Sequence, residues 1–301
     1  MKAYGLPYKG SKNRIVTQLL AQIPSAAHFY DLFMGGGAVV HAALLSHRWQ
    51  HVHGNDINPM MPQMFADAVN GKFLADYHWC SNATFHATKQ TDAFNAVVYS
   101  FGNNLQTYLY NPELEQYKKA FHNAVANRDY LPLTKYGNLT LNWAFEEDLP
   151  TRLIMAQRAA KESKDPMIRR LIHCETLQRI IRINNLNKTL GNGEAERMKL
   201  TSLDYTDVKI EDGSVVYCDI PYGGTSAYNK RKFDYDRFFD WCGSVDFPVF
   251  ISSYELPPDK FTAIWETKLN STLYKYRVKP RIERLFVPNR QLKQHPRLFL
   301  L

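Results

Sequence analysis

Between residues 28 and 59 an apolar run, a glycine triplet, a helix-like stretch, a second short strand and an acid follow one another without a break. His28-Phe29-Tyr30-Asp31-Leu32-Phe33 suits a buried parallel strand, Met34-Gly35-Gly36-Gly37 interrupts it, and Ala38 to Leu45 reads as a helix. A second strand is expected around His51 to Gly54, ending in Asn55-Asp56. A helix start follows, with Asn58 as N-cap and Pro59 in the first turn. Parallel strands need a crossover, and here the crossover is a helix, so the chain is committed to an α/β fold.

The pattern does not continue evenly. From about Gly71 to Asn192 apolar residues recur at helical spacing, as in Cys174, Leu177 and Ile180-Ile181, and two-residue alternation is scarce. Strands return at Met198-Lys199-Leu200-Thr201, Ser214-Val215-Val216-Tyr217-Cys218 and Pro248-Val249-Phe250-Ile251-Ser252-Ser253. Leu273 to Val278 and Arg284 to Val287 are expected to close a hairpin around Lys279-Pro280-Arg281. The expected organisation is a discontinuous domain, residues 1–70 and 193–301, with a helical insertion at 71–192.

At 301 residues and 45% hydrophobic, the chain can bury a sizeable core. No run of about 18 apolar residues is present, and Lys9, Lys12 and Arg14 precede any stretch that could serve as a signal sequence. The expectation is a cytoplasmic protein with no membrane partner. Cys80, Cys174, Cys218 and Cys242 are too widely spaced for a zinc knuckle or a disulfide framework, and are expected as reduced thiols.

The charge is unevenly placed. The whole chain carries 37 Lys plus Arg against 29 Asp plus Glu, a formal +8. From Lys268 to Leu301 there are nine basic residues and one acid, Glu283, so the preceding 267 residues sum to zero. Clustered cations of this kind suit a phosphate-rich partner or a solvated basic tail.

Three segments carry candidate chemistry. Gly35-Gly36-Gly37, between strand and helix, offers exposed backbone N–H groups and close approach, for a nucleotide-like ligand or as an ordinary tight turn. Gly35 and Gly37 match two positions of the dinucleotide fingerprint, but Val40 stands at the third, which disfavours a pyrophosphate cofactor. Asp56 sits where such folds grip a ribose diol, and would serve equally as a helix cap. Asp219-Ile220-Pro221-Tyr222 brings a carboxylate, a carbonyl and an aromatic face to a strand end, a set suited to a planar ring with an exocyclic amine. His51 and His53 alternate on a strand, but without a third ligand at an informative spacing they read as exposed histidines, and no metal is expected. Triad, Walker and zinc-protease patterns are absent.

Taken in order, Pro7-Tyr8-Lys9-Gly10-Ser11-Lys12, Asp31-Leu32-Phe33-Met34-Gly35-Gly36-Gly37, Asn55-Asp56-Ile57-Asn58, Asp204-Tyr205, Tyr217-Cys218-Asp219-Ile220-Pro221-Tyr222 and Ile251-Ser252-Ser253-Tyr254 resemble the Dam-type (D12 class) DNA adenine-N6 methyltransferases. The resemblance implies a Rossmann-like S-adenosylmethionine-dependent methyltransferase sheet with an inserted, mainly helical target-recognition lobe. It implies S-adenosyl-L-methionine as cofactor and double-stranded DNA as substrate. By the same resemblance Tyr8 and Lys12 belong to the N-terminal cofactor motif, and Asp31, Phe33, Gly35 and Gly36 line the methionine part. Asp56 would hold the ribose, Asp204 would lie near the cofactor's adenine, and Asp219, Ile220, Pro221 and Tyr222 would be catalytic, with Asp219 also touching the cofactor.

The family usually has Asp-Pro-Pro-Tyr, so Ile220 is a departure; it keeps the backbone carbonyl but not the fixed φ of proline. Arg152, Arg158, Arg169, Arg170, Arg179 and Arg182 would give the lobe a DNA face. The adenine would be flipped out of the duplex. A cognate restriction endonuclease and the oligomeric state stay open. So do two other readings: a cofactor-sensing DNA-binding protein whose Ile220 has cost it catalysis, and a methyltransferase acting on RNA or a free nucleobase.

Overall fold

The computed structural model describes residues 3–135, 142–164, 166–170, 173–221, 233–269 and 281–299. The opening unit forms as its pattern requires. β1 spans Ala26–Asp31, a helix covers Ala38–Ser46 after the glycines, and β2 spans Trp49–Asn55. Asn58 Oδ1 accepts from the Met60 N–H at 3.2 Å, capping the helix Met60–Val69. β3 (Met198–Thr201), β4 (Ser214–Asp219) and β5 (Val249–Ser253) complete the parallel set. All five residues of β5 are buried, as are the first five of β4, the signature of strands covered on both faces.

Two antiparallel strands close the sheet, and here the expected hairpin needs correcting. β7 (Arg281–Pro288) takes in Arg284 to Val287, but its partner is β6 (Phe261–Leu269), while Leu273 to Val278 lies outside the described residues. The register shift between Ala263 and Trp265 explains why β6 was not legible: a bulge breaks the two-residue alternation on which a strand reading depends. The seven-stranded order is β3-β2-β1-β4-β5-β7-β6. The chain winds outward from β1 through β2 to β3, then returns to lay β4 on the other side of β1. That reversal places the switch point of the sheet between the carboxyl ends of β1 and β4, where open α/β sheets bind ligands.

The structure falls into two compact units. One comprises Met1–Gly5, Ser11–Gln63 and Leu190–Leu301, and holds the sheet; the other comprises Leu6–Gly10 and Met64–Thr189. In the sheet unit, Tyr30, Leu32, Val216, Cys218, Ile220, Val249, Ile251 and Phe286 pack under Phe238 and Cys242 of the helix Tyr235–Ser244. From Ala38 to Leu44 the helix after the glycines is buried on every side, as its apolar composition demands.

On the same face of β1 and β2, His28 pairs in register with His51, and Tyr30 with His53. The reading of two exposed histidines holds for His51 alone. His53 is 9% exposed and stacks on the Tyr30 ring at 4.0 Å, and burial takes its imidazole down to about 4.

The second unit is built around the helices Ala93–Tyr99, Pro112–Asn127, Leu149–Glu162 and Glu175–Thr189. Asn111 and Asp148 cap the second and third, each with proline in the first turn. Two of the arginines read as DNA-facing are instead internal. Arg152, 5% exposed, donates to the carbonyls of Val125 and Ala126 at the end of one helix and to those of Glu146 and Glu147. Arg179 donates to the Val97, Val98 and Ser100 carbonyls at the end of another. Cations there satisfy carbonyls that have no partner within the helix. Arg158, Arg169 and Arg170 are exposed, and Arg182 is half-buried.

Candidate active site

The carboxyl ends of β1, β2, β3 and β4 deliver the acids that the sequence singles out. At the end of β4, Asp219 accepts from Lys12 Nζ with both oxygens, at 2.6 and 2.7 Å. Lys12 is also 3.6 Å from Glu283 Oε1 on β7. Lys12 and Glu283 are 5% and 1% exposed, so this is a buried cation between two carboxylates. Burial alone would lower the ammonium's pKa, but Asp219 and Glu283 outweigh it and the net shift is upward.

At the end of β1, Asp31 is 1% exposed and accepts from the Phe33 N–H at 3.3 Å. Burial first, then the neighbouring charge of Asp219, raises its carboxyl well above the ordinary range. After β1 the chain turns through Gly35 and Gly37 at φ 47° and 68°, a conformation glycine adopts without strain. The turn is pinned: the Met34 N–H donates to the Asn55 carbonyl at 2.8 Å, and the Gly35 N–H to Asp56 Oδ2 at 2.8 Å. Asp56 Oδ1 accepts from the Asn58 N–H, so this one side chain joins the glycine loop to the helix start, and burial raises its pKa.

After β3, Asp204 receives Arg237 in bidentate fashion at 3.0 and 3.1 Å and accepts from both the backbone and the hydroxyl of Thr206. Burial by itself would raise this carboxyl, but those donors hold it below the ordinary value.

Ile220 is 2% exposed and lies within the core cluster beneath the helix Tyr235–Ser244. The departure from the usual proline therefore has a packing counterpart: an anchored side chain in place of a ring. Pro221 further restricts Ile220 to extended backbone, and β-branching stiffens it again. The Pro221 carbonyl accepts from the Tyr235 hydroxyl at 2.6 Å. Tyr222 lies outside the described residues.

The sheet unit thus collects Lys12, Asp31, Phe33, Gly35, Gly36, Asp56, Asp204, Asp219, Ile220 and Pro221, while Tyr8 is in the Leu6–Gly10 segment of the helical unit. Several participants were missed. Glu283 had a signal, as the lone acid in a basic segment followed by an apolar run. Asn55 had less. Its side chain donates to the Leu32 and Leu203 carbonyls and accepts from Thr201 and Leu203, locking the three strand ends together. Gly5 gave none; a Cβ there would lie 2.5 Å from the Gly36 carbonyl oxygen, so the N-terminal segment touches the loop itself.

The acids outnumber the cations near them, and Lys12 is already held by Asp219 and Glu283. Asp31 and Asp56, both with raised pKa, suit a ligand that brings positive charge and hydroxyl donors. Bare glycine backbone beside them admits close approach. A sulfonium cofactor with an amino-acid head and a ribose fits this donor set.

Among the described residues no helix is long and apolar enough to cross a membrane. No curated protein matches the chain. The family model for D12 class N6 adenine-specific DNA methyltransferases matches residues 8–241, a span that takes in β1 to β4, the helical unit and the Asp219-Ile220-Pro221 strand end. With well over half its length matched, the chain belongs to the D12 class of N6 adenine-specific DNA methyltransferases, enzymes that act on adenine in DNA.

Proposed function

We propose that the protein transfers a methyl group from S-adenosyl-L-methionine to N6 of an adenine flipped out of double-stranded DNA, with Asp219, Ile220, Pro221 and Tyr222 as the catalytic stretch. The observation that carries this reading is the Asp219 carboxylate, fixed by Lys12 at the switch point of the sheet, next to the buried Asp31. When bound, the cofactor supplies an electrophilic sulfonium methyl. Asp31 would hold its amino group beside Phe33, Gly35 and Gly36; Asp56 would accept from its ribose hydroxyls; Asp204 would lie near its adenine. Lys12 and Tyr8 belong to the same motif.

The N6 lone pair of adenine is delocalised into the ring, so the nitrogen must be activated by geometry. A carboxylate offers about four acceptor positions, so Asp219 can hold Lys12 through both oxygens and accept an N6 proton in the same site. The Ile220 carbonyl would take the other. Two acceptors on one amine favour a pyramidal nitrogen with its lone pair aimed away from both, toward the methyl. Such positioning is worth roughly 7–11 kcal/mol in well-oriented systems. The surplus N6 proton would pass to the Asp219 carboxylate or to water once the methyl has arrived, so Asp219 need not be a strong base. Tyr222 would stack on the extruded base and offset a few kcal/mol of unstacking. The helical unit would contact DNA and select the site.

The test is N6-methyladenine formation on sequence-diverse genomic DNA, with single-molecule mapping of the modified positions. Asp219→Ala is expected to abolish transfer while leaving a folded chain; full activity in that variant, or no product from the parent, overturns the reading.

A further inference from the structure

We propose that His28, His53 and Glu211 form a binding site for one divalent metal ion of the zinc class, separate from the proposed methyl-transfer site. His28 on β1 and His53 on β2 share a sheet face, and Glu211 comes from the loop that enters β4. His28 Nδ1 and His53 Nε2 are 3.1 Å apart, and His28 Nε2 is 3.4 Å from Glu211 Oε2. One ligand atom from each of the three side chains lies within 4.8 Å of the others. Two Zn–N bonds of about 2.0–2.1 Å at a tetrahedral angle place their nitrogens ~3.3 Å apart, close to the separation of the two imidazoles. An imidazole gives one metal a single nitrogen, so with His28 Nδ1 turned to His53 the Glu211 carboxylate, which lies beside His28 Nε2, must swing round to reach the same ion. Its side chain is 53% exposed and free to do so, whereas His28 is 15% exposed and His53 is buried. Two imidazoles from inside and a carboxylate from outside leave an outward position for water.

The surroundings hold the ligands in place. The Tyr30 ring lies parallel to His53, His51 stacks on His28 at 4.9 Å, and the Glu211 N–H donates to the Tyr30 hydroxyl. Two nitrogen ligands and one carboxylate favour zinc, cobalt or nickel over calcium or magnesium, which require oxygen. Lys199, the register partner of His53, is exposed and can turn to solvent. The three ligands sit in the segments that carry Asp31, Asp56 and Asp219, with His28 and His53 each three residues ahead of an acid. A bound ion would brace the strands whose far ends hold those acids.

The experiment is calorimetric titration of the chelator-treated full chain with zinc sulfate, paired with the visible spectrum of the Co(II) form. One equivalent per chain is expected, with a four-coordinate Co(II) spectrum lacking a thiolate charge-transfer band. Zinc should raise the melting temperature of the parent by mass action. Losing a ligand should weaken binding by about tenfold or more, since even the loss of a ligand's supporting partner costs 10–100-fold. His28→Ala tests an inner ligand, and Glu211→Gln tests the exposed one with little risk to folding. Absence of saturable binding, unchanged affinity in both variants, or a thiolate band that assigns the metal to cysteine overturns the site.

Discussion

Asp31 is a carboxylate that the fold holds at a cost: its pKa is raised, first by burial and then by the charge of Asp219. A raised acid binds its proton more tightly in the folded chain than in the unfolded one, so its contribution to stability falls as pH climbs from the unfolded value through the folded one. Asp31→Asn is therefore expected to melt at a higher temperature than the parent at pH 7, with the advantage shrinking as the pH is lowered from the raised folded value toward 4. Scanning calorimetry over that range tests it, and a variant less stable at pH 7 would refute it. Ile220 makes the opposite contribution. Its side chain fills core beneath the helix Tyr235–Ser244, so Ile220→Ala is expected to cost about 2–5 kcal/mol in urea unfolding. Ile220→Pro, with the backbone already restrained by Pro221, should methylate at close to the parent rate; activity appearing only in that variant would favour the cofactor-sensing alternative.

Elements differ in how openly they declare themselves. β1, β4 and β5 were legible because buried parallel strands are apolar on both faces and stop at a glycine, an Asp-Ile-Pro or a Ser-Ser. β6 was not, since its bulge breaks the alternation, and Arg152 and Arg179 were misread because composition cannot distinguish a surface cation from one bonded to helix carbonyls. His122 illustrates the same limit. It lies within Pro112–Asn127, its Nε2 on the Tyr77 carbonyl and its Nδ1 on the Thr176 hydroxyl, and burial takes its pKa down to about 4. Between that value and the unfolded 6.5 the unfolded chain binds a proton that the folded one refuses, so stability falls as pH drops through this window. The loss should reach on the order of 3 kcal/mol. Urea melts at pH 7 and pH 4.5 followed by helical circular dichroism should show it, and His122→Gln should flatten the dependence.

For the whole molecule, the +8 charge takes on a more divided meaning. Within the basic C-terminal segment Arg284 pairs with Glu266, Arg290 with Asp246, and Glu283 turns inward to Lys12, while Lys275, Arg277 and Lys279 lie outside the described residues. On the helical unit Arg158, Arg169 and Arg170 remain exposed. Replacing those three with glutamine should reduce the slope of log Kd against log salt for duplex DNA by up to about 3, read by fluorescence anisotropy. An unchanged slope would move the DNA face elsewhere.

The lysine clamp has a bearing on how the molecule assembles. Lys12 and Asp219 are 207 residues apart, and Glu283 is farther still along the chain. Contacts of such span close the longest loops and carry the largest entropic penalty, so they form late and slow the approach to the native state. Competence at this site is accordingly a property of the nearly finished chain. A copy ending before Arg281 would contain every ordered motif from Pro7 to Tyr254 and would still lack the Glu283 carboxylate that faces Lys12.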